Sequence, residues 1–400
     1  MEIQRFCVNG RVLEADDPDL QDALAQIYET PERPRCLCVP GGLEMYVARH
    51  RQFVVKRMPD TGNRHALDCP SYEPEAQQSG LGELLGKAVV ERESGKVELR
   101  VNFPWTRTAR HSVARDGPRH EHQAATTPGR RMSLRALMHF LFERAGFNRW
   151  SPAMQGKRNQ GVLHKYLTEA AEDVSVKGFA LNERLYVPEP FNEATHAEAA
   201  QRRRDKLAVL RPRDGRSPLA VLIGEFKASE VTALGRRIWI RHMPDAPLLI
   251  TAEAWERIER AFAPLFEARD ADTGFKVRLM MAALIGARRE HTYEIESAGL
   301  MLASEHWIPV EGIHELPLVH ALVEQRRRFI KPLRYLARSA AGFPNGLLLD
   351  CGAKPVPLHL VSAFLTPKER VVKDAAIQNT EPAWVWDTDQ PLPELPAHRP

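Results

Sequence analysis

The sequence predicts an α+β protein with several domains, and three observations support this fold class. The chain has 400 residues, which is enough for about two to four domains of ordinary size. Strand-like runs and amphipathic helical runs are mixed along its length, and several strand-like runs are joined by the short turns of antiparallel hairpins. The hydrophobic fraction of 43% is sufficient for buried cores.

Charge and composition exclude some classes of protein. The chain has 56 basic and 52 acidic residues, and its net charge of +4 is too small to require a nucleic-acid partner. No apolar run reaches the roughly 18 residues of a membrane span, and the first residues lack the apolar core of a signal peptide. We therefore expect a cytoplasmic protein with no membrane partner. Five cysteines, an odd number in a long chain, argue against a disulfide framework.

The segment with the clearest chemistry is residues 35–74, which we call the zinc module. It contains a C-x-C pair and an H-x-x-x-C pair, and its candidate zinc ligands are Cys36, Cys38, His65 and Cys69. Between the pairs, 44–49 and 52–58 are β-prone runs joined at His50-Arg51, so a hairpin would bring the two pairs together. Three thiolates and one imidazole suit tetrahedral Zn²⁺, and four protein ligands leave no position for water, which predicts a structural ion. The alternative is that the cysteines are small buried hydrophobic residues.

Changes of character along the chain predict its domains. These are an N-terminal domain at 1–104 that includes the zinc module, a flexible basic linker at 105–131, a helical domain at 132–192, an α+β domain with antiparallel pairing at 193–304, a restriction-endonuclease-like α/β block at 305–375 and a disordered tail at 376–400. In the helical domain, helices at 132–145 and 160–171 followed by a strand at 181–187 would fit a winged-helix arrangement.

Basic residues cluster at three places, although the net charge is small. The candidate nucleic-acid-binding residues are Arg130, Arg131, Lys157, Arg158, Arg326, Arg327 and Arg328. A solvated surface or linker is the alternative interpretation of each cluster.

A first candidate catalytic pair lies on the strongly predicted strand at 219–228. Glu225 and Lys227 form an E-x-K on one face of that strand, as in metal-dependent nucleases of the PD-(D/E)XK type. The preceding acidic residue of such a site is missing here, because Asp214 lies in a loop rich in proline and glycine. A cross-strand ion pair is therefore the competing interpretation.

A second candidate site lies in the block at 305–375. A helix with an early carboxylate, Glu315, precedes a predicted hairpin with strands at 346–350 and 356–361, which is the layout of a PD-(D/E)XK core. Asn345 stands where such nucleases place the aspartate of Pro-Asp, and His359 stands where they place the glutamate of E-x-K. Glu315 and Asp350 are the carboxylates that remain, so this distant resemblance predicts a degraded site. The alternative is an ordinary helix-plus-hairpin unit with no nuclease ancestry.

Several stretches resemble one family along most of the chain. They are the zinc module, SPAMQGKR, VPEPF, GEFK and WIPVE…RRFIKPLRY, and they are similar to the domain-of-unknown-function family numbered 1173. That family occurs in proteobacterial plasmids and integrative elements. The resemblance implies a mobile-element context and no established activity.

Three functions follow as hypotheses. The first is a zinc-containing protein that binds DNA or a DNA-processing partner without catalysis. The second is an active Mg²⁺-dependent nuclease that uses Glu225 and Lys227, or Glu315 and Asp350. The third is a protein-interaction scaffold with a structural Zn²⁺. Only the second needs Mg²⁺.

Overall fold

The computed structural model describes residues 4–49, 52–92, 96–108, 130–212, 215–335, 340–380 and 382–399. Its strands are β1 (Arg5–Val8), β2 (Arg11–Glu14), β3 (Arg35–Cys36), β4 (Leu43–Arg49), β5 (Phe53–Arg57), β6 (Val89–Glu91), β7 (Val97–Leu99), β8 (Thr106–Thr108), β9 (Arg149–Trp150), β10 (Val174–Val176), β11 (Phe179–Ala180), β12 (Leu185–Tyr186), β13 (Arg216–Thr232), β14 (Gly235–Ile240), β15 (Leu248–Ile250), β16 (Val277–Arg289), β17 (Thr292–Ser304), β18 (Pro309–Val310), β19 (Phe329–Ile330), β20 (Gly346–Leu348), β21 (Val356–Val361) and β22 (Trp384–Asp387). Its α-helices are α1 (Leu20–Ile27), α2 (Leu134–Arg144), α3 (Gln160–Glu172), α4 (His196–Lys206), α5 (Ala252–Ala261), α6 (Ala263–Asp270), α7 (Leu316–Glu324) and α8 (Pro367–Gln378). The mixture of helices and strands confirms the predicted α+β class.

The N-terminal sheet has the strand order β2-β1-β3-β4-β5, and all its neighbouring strands are antiparallel. β4 and β5 pair as the predicted hairpin, whose tip at residues 50 and 51 lies outside the described residues. Leu24 of α1 packs into the same small core as Cys36 and Cys69. The core of this sheet therefore includes two of the candidate zinc ligands.

The central sheet has the order β12-β13-β14-β15-β17-β16, and β16 also pairs with β13, which closes a ring of strands. Successive side chains of β13 enter different hydrophobic clusters. Leu222 lies in a first cluster with Trp255 of α5, and Val221 lies in a second cluster with Leu137 of α2. Because both faces of β13 are buried, its sequence is a continuous apolar run.

The second cluster is completed by α2, α3 and the sheet β11-β10-β7-β6. Both predicted helices are present, and the hydroxyl of Ser133 caps α2 by accepting a hydrogen bond from the N–H of Ala136. The predicted strand at 181–187 is shorter, because Leu181–Arg184 forms a 3₁₀ turn before β12. The winged-helix arrangement stays a prediction.

The C-terminal sheet has the order β22-β21-β20-β19-β9. α7 precedes β19, and α8 connects β21 to β22, which runs parallel to β21. β9 reaches this sheet from the predicted helical domain, and its Trp150 packs in the first cluster with Phe329 and Leu358. Hydrophobic packing thus crosses the predicted boundaries after residues 192 and 304.

Strands lie within two segments that the sequence predicts to be unstructured. The predicted linker at 105–131 begins with β8, which pairs with β13, while its residues 109–129 lie outside the described residues. The predicted disordered tail at 376–400 contains β22, and Trp386 on that strand is 5% exposed. Its indole N–H donates to the carbonyl oxygen of Gln390 over 2.9 Å. No helix in the described part of the chain is both long and apolar enough to cross a bilayer.

Candidate functional site

The four residues predicted as zinc ligands come together in the structure. Cys36 ends β3, Cys38 follows it, His65 comes directly after a 3₁₀ turn at Gly62–Arg64, and Cys69 lies in the next turn. One potential ligand atom from each residue lies within 4.8 Å of the others. The Sγ atoms of Cys36 and Cys69 are 3.7 Å apart, and Nδ1 of His65 lies 3.3 Å from Sγ of Cys38 and 3.7 Å from Sγ of Cys69. A turn at Gly41 and Gly42 leads the chain from Cys38 into β4. Their φ angles of +80° and +66° are ones that glycine adopts readily.

These distances fit a tetrahedral ion. With Zn–S of about 2.3 Å and Zn–N of about 2.0 Å, neighbouring ligand atoms of a tetrahedron are about 3.5–3.8 Å apart. Disulfide geometry would need a sulfur separation of about 2.05 Å, and all three cysteines are free thiols. Cys36, His65 and Cys69 are each at most 7% exposed, so their ligand atoms need partners inside the protein. The cluster is therefore able to hold a metal ion.

One sulfur of the cluster, that of Cys36, favours negative charge even without an ion. A hydrogen bond from Cys69 lowers the pKa of the Cys36 thiol to about 3, against the opposing effect of burial. The same hydrogen bond raises the pKa of Cys69, and burial raises that of Cys38. Gln4 donates from Nε2 to Sγ of Cys36 and Cys69 over 3.4 and 3.7 Å. Such N–H···S contacts orient metal-bound thiolates. No sequence pattern singled out Gln4, which lies far from the cysteines along the chain.

The two residues of the E-x-K pattern lie in different environments. Glu225 is 6% exposed, and its carboxylate lies 2.6 Å from Nε of Arg241 and 2.7 Å from Nη1 of Arg278. The guanidinium of Arg278 also stacks 3.7 Å from the ring centre of Trp307. Lys227 is exposed beyond this ion pair. The two oxygens of Glu225 thus contact two arginines. Arg278 lies on β16 and Arg241 directly follows β14, and both of these strands pair with β13.

Glu315 lies in a buried polar network in the C-terminal block. Its Oε2 is 2.8 Å from Nζ of Lys331, and its Oε1 accepts a hydrogen bond from Nδ2 of Asn345 over 2.7 Å. Oδ1 of Asn345 in turn accepts from Nζ of Lys373 on α8 over 2.8 Å. Burial raises the pKa of Glu315, but Lys331, Arg334 and His314 outweigh it and hold that pKa at about 2. Glu315 is therefore an ionised carboxylate neutralised by protein groups.

The sequence does not indicate that two lysine side chains, those of Lys331 and Lys373, belong to this network. Lys331 and Lys373 are each 1% exposed. Burial lowers the pKa of Lys373 to about 7, and the charge of Arg334 adds to that effect. Lys373 lies in a helix rich in charged residues, and nothing local marks it as the one that points inward.

His359, which the sequence resemblance compares with a nuclease glutamate, lies on β21 close to this network. It is 1% exposed, and neither ring nitrogen has a hydrogen-bond partner. Burial lowers its pKa to about 4, and the charges of Lys373 and Arg334 contribute. His359 is therefore neutral near pH 7 and supplies no negative charge for a cation.

Asp350 is engaged elsewhere. Its carboxylate oxygens lie 2.8 and 3.2 Å from the guanidinium of Arg327 and accept a further hydrogen bond from the N–H of Arg328. Asp350 and Arg327 are both buried. The structure thus brings Glu315 and Asn345 together but shows no bond that joins Asp350 to them.

The candidate nucleic-acid-binding residues separate into two groups. Arg158 donates to the backbone carbonyls of Gly146, Phe147, Arg149 and His306, and burial lowers its pKa to about 9. Arg327 is held by Asp350. These two guanidiniums are occupied within the fold. Exposed or partly exposed positions belong to Arg130, Arg131, Lys157, Arg326 and Arg328.

Comparison with known proteins gives a family and no activity. No curated protein and no solved structure matches the chain. The family model described as Protein of unknown function (DUF1173) matches residues 6–389, which include the Cys/His cluster, the central sheet and the C-terminal block. The chain belongs to the DUF1173 family of proteins of unknown function.

Proposed function

We propose that this chain is a cytoplasmic protein of mobile genetic elements that binds DNA or a DNA-processing partner without cleaving nucleic acid, and that Zn²⁺ stabilises its N-terminal module. One observation carries the non-catalytic part of this proposal. Among the described residues, both carboxylate oxygens of Glu315 at the nuclease-like position are already bound, one by Nζ of Lys331 and the other by Nδ2 of Asn345. A hydrolytic Mg²⁺ ion requires carboxylate oxygens that are free to coordinate it.

The order of elements supports a common origin with the nuclease core. α7, the β20–β21 hairpin, α8 and β22 follow one another along the chain. Glu315 directly precedes α7, Asn345 directly precedes β20 and His359 lies on β21. In this proposal the carboxylate-to-amide and carboxylate-to-imidazole replacements removed the metal site. In place of a metal ion, Nζ of Lys331 now lies 2.8 Å from the carboxylate of Glu315 and supplies positive charge.

Zinc is the ion that this donor set fits best. Soft thiolates with one imidazole in a closed tetrahedral arrangement are typical of structural Zn²⁺ sites. When bound, the ion would cross-link β3 to the segment that follows β5. Cys36, Cys38, His65 and Cys69 would hold it, and Gln4 would orient the sulfur atoms.

Elemental analysis tests the zinc proposal directly. We expect about one Zn²⁺ per chain in protein purified without added metal, and a loss of at least half of it in Cys69→Ser. Cys7→Ser is the matched control, because Cys7 is a free cysteine outside the cluster. Protein that lacks Zn²⁺, or Cys69→Ser protein that keeps all of it, would refute the site.

A combined binding and cleavage assay tests the DNA proposal. We expect duplex binding that weakens steeply with salt and no cleavage with Mg²⁺ or Mn²⁺. Replacing Arg130, Arg131 and Lys157 by glutamine should reduce the salt dependence by roughly two to three released counterions. Arg260→Gln is the control, because Arg260 is exposed on α5 and belongs to none of the basic clusters. Metal-dependent cleavage that Glu315→Gln abolishes would establish the nuclease instead, and absence of DNA binding would favour the protein-scaffold function.

A further inference from the structure

Helix α8 has its charged and apolar side chains on the opposite sides from those of an ordinary surface helix. Its one buried side chain is that of a lysine, Lys373, which is 1% exposed. Val371 and Val372 of the same helix are 69% and 43% exposed, and Phe364, shortly before the helix, is 82% exposed. None of the residues of α8, all of which are described, lies in a hydrophobic cluster of the fold. The helix therefore presents apolar side chains to solvent and a basic one to the protein.

The buried lysine fixes which face of α8 points outward. Nζ of Lys373 donates to the carbonyl oxygen of Phe343 over 3.0 Å and to Oδ1 of Asn345 over 2.8 Å. Thr366 and Glu369 form a capping box, so the first turn of the helix is also fixed. A rotation of the helix that buried the valines would break both hydrogen bonds of the lysine. The fold itself thus keeps the apolar side exposed, and such a surface is typical of an interaction site.

The exposed residues of α8 form a stripe along one side of the helix. Lys368, Val371 and Ala375 recur at intervals of three and four residues, so they lie on the same side, and Val372 borders them. All four are exposed. Side chains at this spacing form the ridges with which two helices pack against each other. The stripe therefore suits a second helix as its partner.

The charges beside this stripe select the partner helix and its direction. Lys368 and Asp374 lie at equal distances along the helix before and after Val371, and both are exposed. If two copies of α8 cross antiparallel at Val371, Lys368 of each copy faces Asp374 of the other, which gives two attractive pairs. A parallel crossing would instead place lysine against lysine and aspartate against aspartate. Arg370 lies 3.4 Å from Asp374 on the same helix, and their side chains are still 48% and 50% exposed. The charges of α8 are thus complementary to a second, antiparallel α8.

We propose that two copies of this chain associate through α8, with the two helices antiparallel and Val371 at the two-fold axis. Each copy contributes the same surface, as is usual in homodimers. Val371 packs against its own counterpart, Val372 and Ala375 border the contact, and the pairs between Lys368 and Asp374 lie at its rim. One helix face is smaller than the roughly 800 Å² that each partner of a stable complex buries, so the association is weak and depends on concentration. It is independent of the DNA and zinc proposals.

Sedimentation equilibrium of the full chain measures this association. We expect monomers at about 1 μM and mostly dimers at about 300 μM, as for a small interface. Val371→Glu should weaken association at least about tenfold, because it removes the apolar contact and places two like charges together at the axis. Val231→Glu on β13 is the matched control, since Val231 is 70% exposed as Val371 is 69% exposed, and it should leave association unchanged. A chain that stays monomeric at the highest concentration, or dimers that Val371→Glu leaves intact, would overturn the proposal.

Charge reversal tests the antiparallel direction. Lys368→Asp and Asp374→Lys should each weaken association about three- to tenfold, because each turns two attractive pairs into repulsive ones. The double variant restores opposite charges and should recover the association of the wild type. Circular dichroism of each variant checks the helix, because Asp374→Lys also removes the pair with Arg370. A double variant that associates as weakly as the single variants, with its helix content unchanged, would refute the antiparallel contact.

Discussion

His359 and His139 are buried imidazoles that differ in one hydrogen bond. Both are 1% exposed, and burial lowers the pKa of each to about 4. Nδ1 of His139 lies 2.9 Å from the carbonyl oxygen of Arg334, whereas both nitrogens of His359 lack partners. A buried polar group without a hydrogen bond destabilises the folded state, so His359 should be replaceable and His139 should not.

His359→Leu should therefore raise the free energy of unfolding by about 1 kcal/mol at pH 7, while His139→Leu should lower it by a similar amount. The folded pKa of His359 is below its unfolded value, so its contribution is complete above about pH 6.5 and is lost as pH falls toward 4. The advantage of His359→Leu should consequently grow at pH 5. Urea unfolding at both pH values measures this. A loss of stability in His359→Leu equal to that in His139→Leu would mean that His359 has a partner.

Glu143 has the opposite pH behaviour. Burial raises its pKa to about 7, so the folded state holds a proton between about pH 4.5 and 7 that the unfolded state has lost. The free energy of unfolding should fall through this window by about 1–2 kcal/mol in the wild type, after allowance for partial exposure, and this fall should be absent in Glu143→Gln. Urea unfolding at pH 5 and pH 8 is the measurement, with Glu256→Gln as control. An identical pH difference in all three proteins would contradict the assignment.

At the scale of elements, the metal cluster joins short strands that have little core of their own. β3 has two residues, and the N-terminal core contains Cys36 and Cys69 themselves. Structural Zn²⁺ binding contributes directly to the folding of such small units. Chelation should therefore remove amide protection from β3, β4 and β5 and leave β13, β16 and β17 protected, as measured by hydrogen exchange. Loss of protection in all these strands together would show that the module and the central sheet unfold as one unit.

The last strand offers a second prediction about an element. Trp386 of β22 is 5% exposed and packs in the first hydrophobic cluster, whereas its neighbour Val385 is 40% exposed. Trp386→Ala should lower the free energy of unfolding by about 3–5 kcal/mol, and Val385→Ala by less than about 1 kcal/mol. Chemical denaturation of the two variants compares them. If both variants lost less than about 1 kcal/mol in the free energy of unfolding, the segment 376–400 would be a disordered tail, as the sequence predicts.

Local patterns predicted some elements and missed others for physical reasons. The Cys/His cluster could be predicted because its residue types and their spacing are typical of metal sites. The β4–β5 and β20–β21 hairpins could be predicted because their paired strands are neighbours along the chain. β22 could not, because its parallel pairing with β21 requires α8 as a crossover and its sequence is short and rich in polar neighbours. Lys331 and Lys373 were missed because only tertiary packing determines which charged side chains are buried.

At the scale of the whole molecule, β13 joins two hydrophobic clusters. Leu222 lies in the cluster that extends into the C-terminal sheet, and Ile223 lies in the cluster formed with α2 and α3. β16 repeats this alternation with Met281 and Met280. Because β13 and β16 contribute side chains to both clusters, neither cluster can lose its packing without exposing one face of these strands. The unfolding of the two clusters is therefore coupled.

This arrangement predicts that the two cores unfold in one transition. Leu222→Ala and Ile223→Ala should each lower its midpoint, with a loss of about 2–5 kcal/mol in the free energy of unfolding, although the two side chains lie in different clusters. Val231→Ala near the end of the same strand, where the side chain is 70% exposed, should change it by less than about 0.5 kcal/mol. Calorimetry together with tryptophan fluorescence measures the transitions. If each core variant shifted a different transition, the clusters would be independent domains, as the boundary after residue 192 predicts.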